Sequence, residues 1–429
     1  MESEIVSMES SVGQGTREGA TDITREVREL HERYVLGTYR RLGPVLVEGR
    51  GTEVWDAEGR RYLDFGGGIA VNGLGHAHPA IVAAIREQAG KLIHISNLYY
   101  SEQQGVLAKR IVELVGPGRV FFCNSGAEAN EAQFKLARRF GSGSNRFEII
   151  TCLNSFHGRT LAGIAATGQE RFREGFGPVT PGFTHASFND LGAIERAVNP
   201  RTAAVMIEGI QGEGGIHAAS PDFLIGLRRL CDDHSLLLLW DGVQDGMFRT
   251  GRFQSFQRIL EGVDAGRNFL PDAIGMAKGL GAGYPIGATW VAERHAALLG
   301  PGSHGCTFGG SPLACSVALA VLDAVAQGRL EENVRRQGER ALSALRAMAA
   351  KYPGTVRDIR GMGGILGIEF CVEVPPVVAA LAGEGLLVVP SGKHVIRLLP
   401  PLDVSEAEVD EAMDTIGRVV RDSGQRAMP

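Results

Sequence analysis

Three short stretches of this chain bring together residue types that support catalysis. The apolar run at 120–123 leads into Asn124-Ser125-Gly126-Ala127-Glu128, and a helical pattern continues through Phe140. A small-residue turn that opens a helix presents unpaired backbone N–H groups along the helix dipole. With the Ser125 hydroxyl added, such a turn can hold an anion; it also suits an N-cap serine beside a close-packed glycine. The apolar run at 236–240 ends in Asp241, with Gln244 shortly after it. An acid in that position projects from the carboxyl edge of a sheet, where open α/β folds bind ligands, or it caps the next turn. The run at 272–276 ends in Ala277-Lys278-Gly279 and a glycine-rich turn through Gly283. Most lysines are solvated surface charges. One that follows an apolar strand between small residues points its amine into a pocket, where desolvation lowers its pKa and a Schiff base can form.

An anion cup, a carboxylate and a desolvated amine are together what pyridoxal 5'-phosphate demands: a seat for its phosphate, a partner for its pyridine nitrogen and an amine for its carbonyl carbon. The surrounding motifs are long: Gly75-His-Ala-His-Pro79, Val120-Phe-Phe-Cys-Asn-Ser-Gly-Ala-Glu-Ala-Asn-Glu131, Phe156-His-Gly-Arg-Thr160, Gln211-Gly-Glu-Gly-Gly215, Ala277-Lys-Gly-Leu280, Thr307-Phe-Gly-Gly310 and Arg397-Leu-Leu-Pro-Pro-Leu402. With these motifs the chain resembles the class III pyridoxal-phosphate aminotransferases, and within them the group that acts on acetylated ornithine. The likeness runs from about Tyr39 to the last helix.

The resemblance implies that Lys278 binds the cofactor covalently and shuttles the proton, while Asp241 keeps the pyridine nitrogen protonated. It gives Gln244 the ring hydroxyl, Phe156 the ring face, and Ser125, Gly126 and Ala127 the phosphate. Thr307 would reach the phosphate of a neighbouring subunit, which implies a homodimer. Arg159 would grip the carboxylate far from the reacting amine. Arg397 would grip the α-carboxylate of glutamate and 2-oxoglutarate, with Glu213 covering it while the other donor is bound. A guanidinium suits both tasks because it matches a carboxylate bidentately and stays charged when desolvated; structural ion pairs are the alternative. The implied reaction moves the terminal amine of N2-acetylornithine to 2-oxoglutarate. Ornithine, succinylornithine, succinyl-diaminopimelate and 4-aminobutyrate are alternative donors, and a cofactor-binding regulator without turnover is a rival of another class.

The chain departs from the family pattern beside the acid. Gly242 stands where glutamate is usual and Phe248 where glycine is, in the run Asp241-Gly-Val-Gln-Asp-Gly-Met-Phe248, and Gly209 replaces a proline after Glu208. The expectation is that Phe248 fills volume lost at Gly209 and Gly242. Gly66, Gly67 and Gly68 are expected to leave the substrate pocket roomy, in favour of a neutral acetamide over a free ammonium.

The elements that must position these residues read as short apolar runs at 120–123, 147–152, 203–207, 236–240 and 272–276, alternating with helical patterns. That rhythm predicts an α/β fold with a largely parallel sheet wrapped by helices. The resemblance makes it a fold-type-I transferase with a large and a smaller α+β domain. The expected division is a mobile polar tail at 1–26, a segment at 27–75 that includes a small antiparallel β unit and packs with the small domain, a large cofactor-binding domain at 76–312 and a small domain at 313–429. At 429 residues with 44% hydrophobic and 22% charged residues, the chain can bury cores of this size. A net charge of -5 without basic clusters argues against nucleic acid as a partner. Six scattered cysteines without a CxxC pair read as reduced thiols. His76 and His78 lack companion ligands, so no metal is expected. No apolar run is long enough to span a bilayer and no apolar signal segment opens the chain, so a cytoplasmic location is expected.

Overall fold

Strands covered by helices on both faces must be apolar at nearly every position, and four neighbouring strands here are buried at every residue: Thr202–Ile207, Leu237–Asp241, Ala273–Met276 and Gly287–Ala292. They belong to a seven-stranded sheet ordered Gly118–Cys123, Gly287–Ala292, Ala273–Met276, Leu237–Asp241, Thr202–Ile207, Glu148–Cys152, Phe183–Ala186. All strands are parallel except Gly287–Ala292, which runs against both neighbours. The computed structural model describes residues 17–39, 41 and 43–426.

Five of these strands coincide with the apolar runs read from sequence. Two do not. Phe183–Ala186 is a four-residue edge strand, polar at Thr184 and His185. Gly287–Ala292 carries only Trp290 and Val291 as large apolar residues. Neither makes an apolar run, because one is an edge and the other packs largely through small side chains.

A meander of Leu46–Arg50, Glu53–Asp56 and Arg61–Asp64 precedes the large sheet, and Arg61–Asp64 takes Leu386–Leu387 as a parallel partner. Leu63 and Phe65 share an apolar cluster with Leu342, Ile368, Phe370, Leu398 and Ile416. The meander is thereby fixed to the C-terminal sheet of Val356–Met362, Ile365–Phe370, Val395–Leu398 and Val389–Ser391 and to the helices Leu330–Lys351 and Glu406–Arg426. Of the tail expected at 1–26, residues 1–16 lie outside the described residues. Residues 17–26 correct the expectation, because they begin the helix Arg17–Tyr34. Ile23, Val27, Leu30 and Tyr34 recur at helical spacing, and Arg25 pairs with Glu29 one turn on; polar composition hid that periodicity. Among the described residues no single helix is long and apolar enough to cross a membrane.

One buried acid fixes the approach to the strand that carries Lys278. Asp272 precedes Ala273–Met276 and accepts hydrogen bonds from the Leu238 amide (2.8 Å) and Arg228 (2.8 Å), with His295 at 3.0 Å and Arg294 also paired. Burial works to raise its pKa, but His295, Arg228 and the Leu238 amide outweigh it and hold the carboxyl well below the usual range. Asp272→Ala would remove the buried partner of Arg228, leaving it only the exposed Asp232, and would strip the Leu238 amide of its acceptor. Such a change should cost about 3–5 kcal/mol, measured as a lower denaturant midpoint at unchanged slope.

Candidate active site

The carboxyl ends of the central strands open on one cavity of about 410 Å³. Ser125, Gly126, Ala127, Phe156, Arg159, Glu213, Asp241, Gln244 and Lys278 all line it. Arg397 lies just behind the wall, bonded to Glu213 and Gln244. Thr307 is not brought there: it is exposed and lines a separate cleft with Asn97 and Phe121.

The cup forms where Gly118–Cys123 passes into the helix Gly126–Gly141. Ser125 caps that helix, its Oγ accepting from the Glu128 amide at 3.2 Å. The first amides of a helix have no intrahelical acceptor, so those of Gly126 and Ala127 are available to an anion. Glycine is required at 126 by close approach, since a Cβ there would stand 2.6 Å from Val243 Cγ1.

Asp241 ends its strand almost wholly buried and is satisfied by three donors. Asn130 Nδ2 lies at 2.7 Å and His157 Nδ1 at 2.8 Å from Oδ2, and the Val243 amide donates to Oδ1 at 3.1 Å. Asn130 and His157 were not singled out from sequence. Both stand inside quoted motifs, but nothing local marks a residue that donates to an acid more than 80 positions away. Glu208, at the end of the adjacent strand, accepts from the Phe156 amide at 3.2 Å. Burial, with Asp241 next to it, raises its pKa well above the ordinary value.

Lys278 sits at φ +46°, a left-handed conformation that is rare for lysine. Burial, reinforced by Arg397, lowers its amine to about 8, against the opposing charges of Glu213, Asp241 and Glu208. An amine tuned so close to neutrality can act both as nucleophile and as proton carrier.

The two arginines are held differently. Arg397 is 1% exposed, and its Nη1 donates to Glu213 Oε1 (2.7 Å), Gln244 Oε1 (2.9 Å) and the Gly212 carbonyl (3.0 Å). Arg159 is exposed and stacks on aromatic faces, 4.0 Å from the Phe172 ring centroid and 5.5 Å from that of Phe156. It has no acid partner among the described residues. A cation held by rings keeps its hydrogen-bond donors free for a ligand.

Residues 38–420 match the family model described as aminotransferase class-III. The chain belongs to the class III aminotransferases. Among its relatives, the acetylornithine aminotransferase of Caldanaerobacter subterraneus subsp. tengcongensis is 45% identical over 91% of this chain and 98% of its own. A structure of the ornithine aminotransferase of Toxoplasma gondii, with pyridoxal phosphate partly occupying its active site, superposes with TM-score 0.88 at 30% identity over 96% of this chain and 100% of that one. The N-acetylornithine aminotransferase of Stenotrophomonas maltophilia K279a gives TM-score 0.77 at 34% identity over 92% and 98%. The family's cofactor is pyridoxal phosphate, and the donor set of this class III cavity fits it: helix-end amides for a phosphate, a buried carboxylate for a cationic ring nitrogen and a desolvated amine for a carbonyl carbon.

Two expectations, one about the departures at Gly209, Gly242 and Phe248 and one about the glycines at 66–68, are corrected. A Cβ at Gly209 would meet Ser255 Oγ at 2.3 Å and Asp245 Oδ2 at 2.8 Å, and one at Gly242 would meet Gln254 Oε1 at 2.2 Å. Phe248 fills neither space; it packs on Phe253, ring centroids 5.3 Å apart, beside Leu114 and Leu322. The glycine run does not create room either. A Cβ on Gly66 would strike Val389 and one on Gly67 the Leu399 carbonyl, and from 64–71 only Val71 lines the cavity. Close approach of Val389 and Leu399 is what requires glycine at 66 and 67, whereas Gly68 has only ordinary contacts, with Val71 and Asn72.

Gly242→Glu should therefore cost about 2 kcal/mol by overpacking. Gln254→Ala should relieve part of that cost and Phe248→Gly none of it, as a pair of double-mutant cycles would report. A second expectation concerns Asp245, whose carboxyl burial pushes up to about 7 against its bonds to Ser255 and Ile210, with Asp241 adding to the rise. The folded chain keeps this proton to higher pH than the unfolded chain does. Stability from this group is thus lost as pH rises from about 4 to 7, at up to about 1.4 kcal/mol per pH unit. Asp245→Asn removes that dependence, so the stability of the variant relative to the wild type should rise between pH 5 and pH 8; a constant difference would mean that Asp245 titrates normally.

Proposed function

We propose that this chain moves the terminal amino group of N2-acetyl-L-ornithine to 2-oxoglutarate, giving N-acetylglutamate 5-semialdehyde and glutamate, a step of arginine biosynthesis. The observation that carries the reading is the pair of guanidinium groups at one cavity in opposite states, Arg397 covered by Glu213 and Arg159 stacked on rings without an acid. A donor whose single carboxylate lies far from its reacting amine engages Arg159 and leaves Arg397 neutralised. Glutamate and 2-oxoglutarate bring a second carboxylate, which displaces Glu213 and takes Arg397 bidentately. The names of the 45% identical relative and of the Stenotrophomonas structure support the acetylated donor.

When bound, pyridoxal phosphate supplies the carbonyl carbon that takes the amine and the ring that draws electrons from it. The rest falls to side chains of the protein. Lys278 Nζ takes the proton from the donor's amine-bearing carbon, a task suited to a group near pKa 8. Asp241, fixed by His157 and Asn130, holds the positive charge on the ring nitrogen. Phe156 covers the ring, Gln244 meets its hydroxyl, and Ser125, Gly126 and Ala127 seat the phosphate. Thr307, exposed and outside its own chain's cavity, is assigned to the phosphate of the neighbouring copy, which makes a homodimer the catalytic unit.

The test is to mix the yellow holoenzyme with N2-acetylornithine, ornithine, succinyl-diaminopimelate or 4-aminobutyrate and follow loss of cofactor absorbance. The acetylated donor should lead ornithine by at least about tenfold in kcat/KM, which is about 1.4 kcal/mol of discrimination. Faster reaction with a free diamine or with 4-aminobutyrate would overturn the reading. Lys278→Ala should lower turnover by at least about 1,000-fold.

A further inference from the structure

Glu213 does its work from a hairpin, and the root of that hairpin is held in an unusual way. Ile210–Gln211 pairs with His217–Ala218, and the turn between them carries Gly212 and Glu213 to Arg397. At the far side Ser391 straps the turn, its hydroxyl donating to the Gly212 carbonyl and accepting from the Gly215 amide, both at 2.9 Å. At the root, the Ile210 amide donates to Asp245 Oδ2 at 2.7 Å, and the Ser255 hydroxyl donates to the same oxygen at 2.7 Å. Asp245 is 1% exposed and its other oxygen has no hydrogen-bond partner among the described residues.

A buried carboxylate with a free lone pair is expensive, and a merely structural clamp has no need of one. The space it occupies exists only because residue 209 is glycine, since a Cβ there would collide with both Ser255 and Asp245. Gly209, directly ahead of the hairpin in the chain, thus forms one unit with Asp245 and Ser255, which lie beside Glu208 and Asp241 in space. Charged groups facing Asp245 are Asp241, which ends the strand leading to its turn, and Glu208, which follows the adjacent strand. The other side chains crowding this region are neutral: Trp240 stands against Gly209, and Gln254 against Gly242 and Gly246.

We propose that Asp245 is a positioning residue for the exchange at Arg397: through the Ile210 amide and the Ser255 hydroxyl it fixes the root of the hairpin from which Glu213 alternately covers and releases that arginine. The inference rests on the proposed alternation of two substrates, and it assigns Asp245 to only one of them. The glutamate and 2-oxoglutarate half-reaction requires Glu213 to leave and return. The half-reaction with the acetylated donor leaves Glu213 in place.

The experiment compares both half-reactions in the full-length holoenzyme, with glutamate and with N2-acetylornithine, for Asp245→Ala, Ser255→Ala and Asp245→Asn. Asp245→Ala should lower the rate constant per molar glutamate about tenfold and change the acetylornithine half-reaction less than about twofold. Ser255→Ala should shift the ratio the same way by a smaller factor. Asp245→Asn should restore most of the glutamate rate, because its amide oxygen still accepts from Ile210. Equal loss in both half-reactions, or an unchanged ratio in Ser255→Ala, would overturn the inference, and the second readout stands even where Asp245→Ala fails to fold. A wild-type enzyme inert to N2-acetylornithine but active with glutamate would instead refute the donor assignment. The glutamate arm, with whichever amine the wild type accepts as the second arm, would then still decide the role of Asp245.

Discussion

Everything at this site depends on placing several charges in one small volume that water hardly enters. Asp241, Glu208, Glu213 and Asp245 converge from neighbouring strand ends and turns, and Lys278 and Arg397 face them. In such a place a charge persists only where donors or counter-charges meet it, and otherwise its pKa moves until it is neutral. Asp241 is met by three donors. Glu208 receives one amide and Asp245 two donors on a single oxygen, and both are pushed toward their neutral forms. The difference in donor count separates the acids: Asp241 is fully met by its neighbours, whereas Glu208 and Asp245 each hold a backbone amide of an adjoining segment as near-neutral supports.

The same accounting separates the two arginines. Arg397 is desolvated, so it needs an acid whenever no substrate acid is present, and Glu213 supplies it at 2.7 Å. Arg159 is solvent-facing and aromatic-stacked, so it needs none. A buried pair is costly to break unless a replacement arrives at once. On the proposed function, exchange at Arg397 is therefore selective for ligands that carry their own carboxylate to the same spot.

Much of this was legible in the sequence. Strand ends at Asp241 and Lys278 and a helix start at Ser125 are local patterns, each set by an apolar run and the few residues after it, and the structure brings all three to one cavity. The parts that were not legible depend on contacts between distant segments. His157 and Asn130 become ligands of Asp241 only once three elements are packed together. The space at Gly242 could not be attributed to Gln254 from sequence, because Phe248 is nearer in the chain and large enough. The glycines at 66 and 67 had looked like spare room, and they turned out to be points of contact with Val389 and Leu399. Composition misled at 17–26 as well, where a polar stretch conceals a helical spacing.

The reversed strand Gly287–Ala292 has a consequence in time as well as in space. It is the last of the seven in chain order, yet it lies between Gly118–Cys123, the first, and Ala273–Met276. Among the described residues the first strand has no other partner in the sheet, so it joins the rest through this one. During synthesis the strand bearing the phosphate cup therefore waits, unpaired at its edge, until about 170 later residues have emerged, a long-range closure of the kind that slows folding. The cup and the lysine come into register in the same event. The chain thus acquires its capacity to hold a cofactor late, as the closing act of its own assembly, and a nascent chain that lacks that strand presents half a site with an open edge.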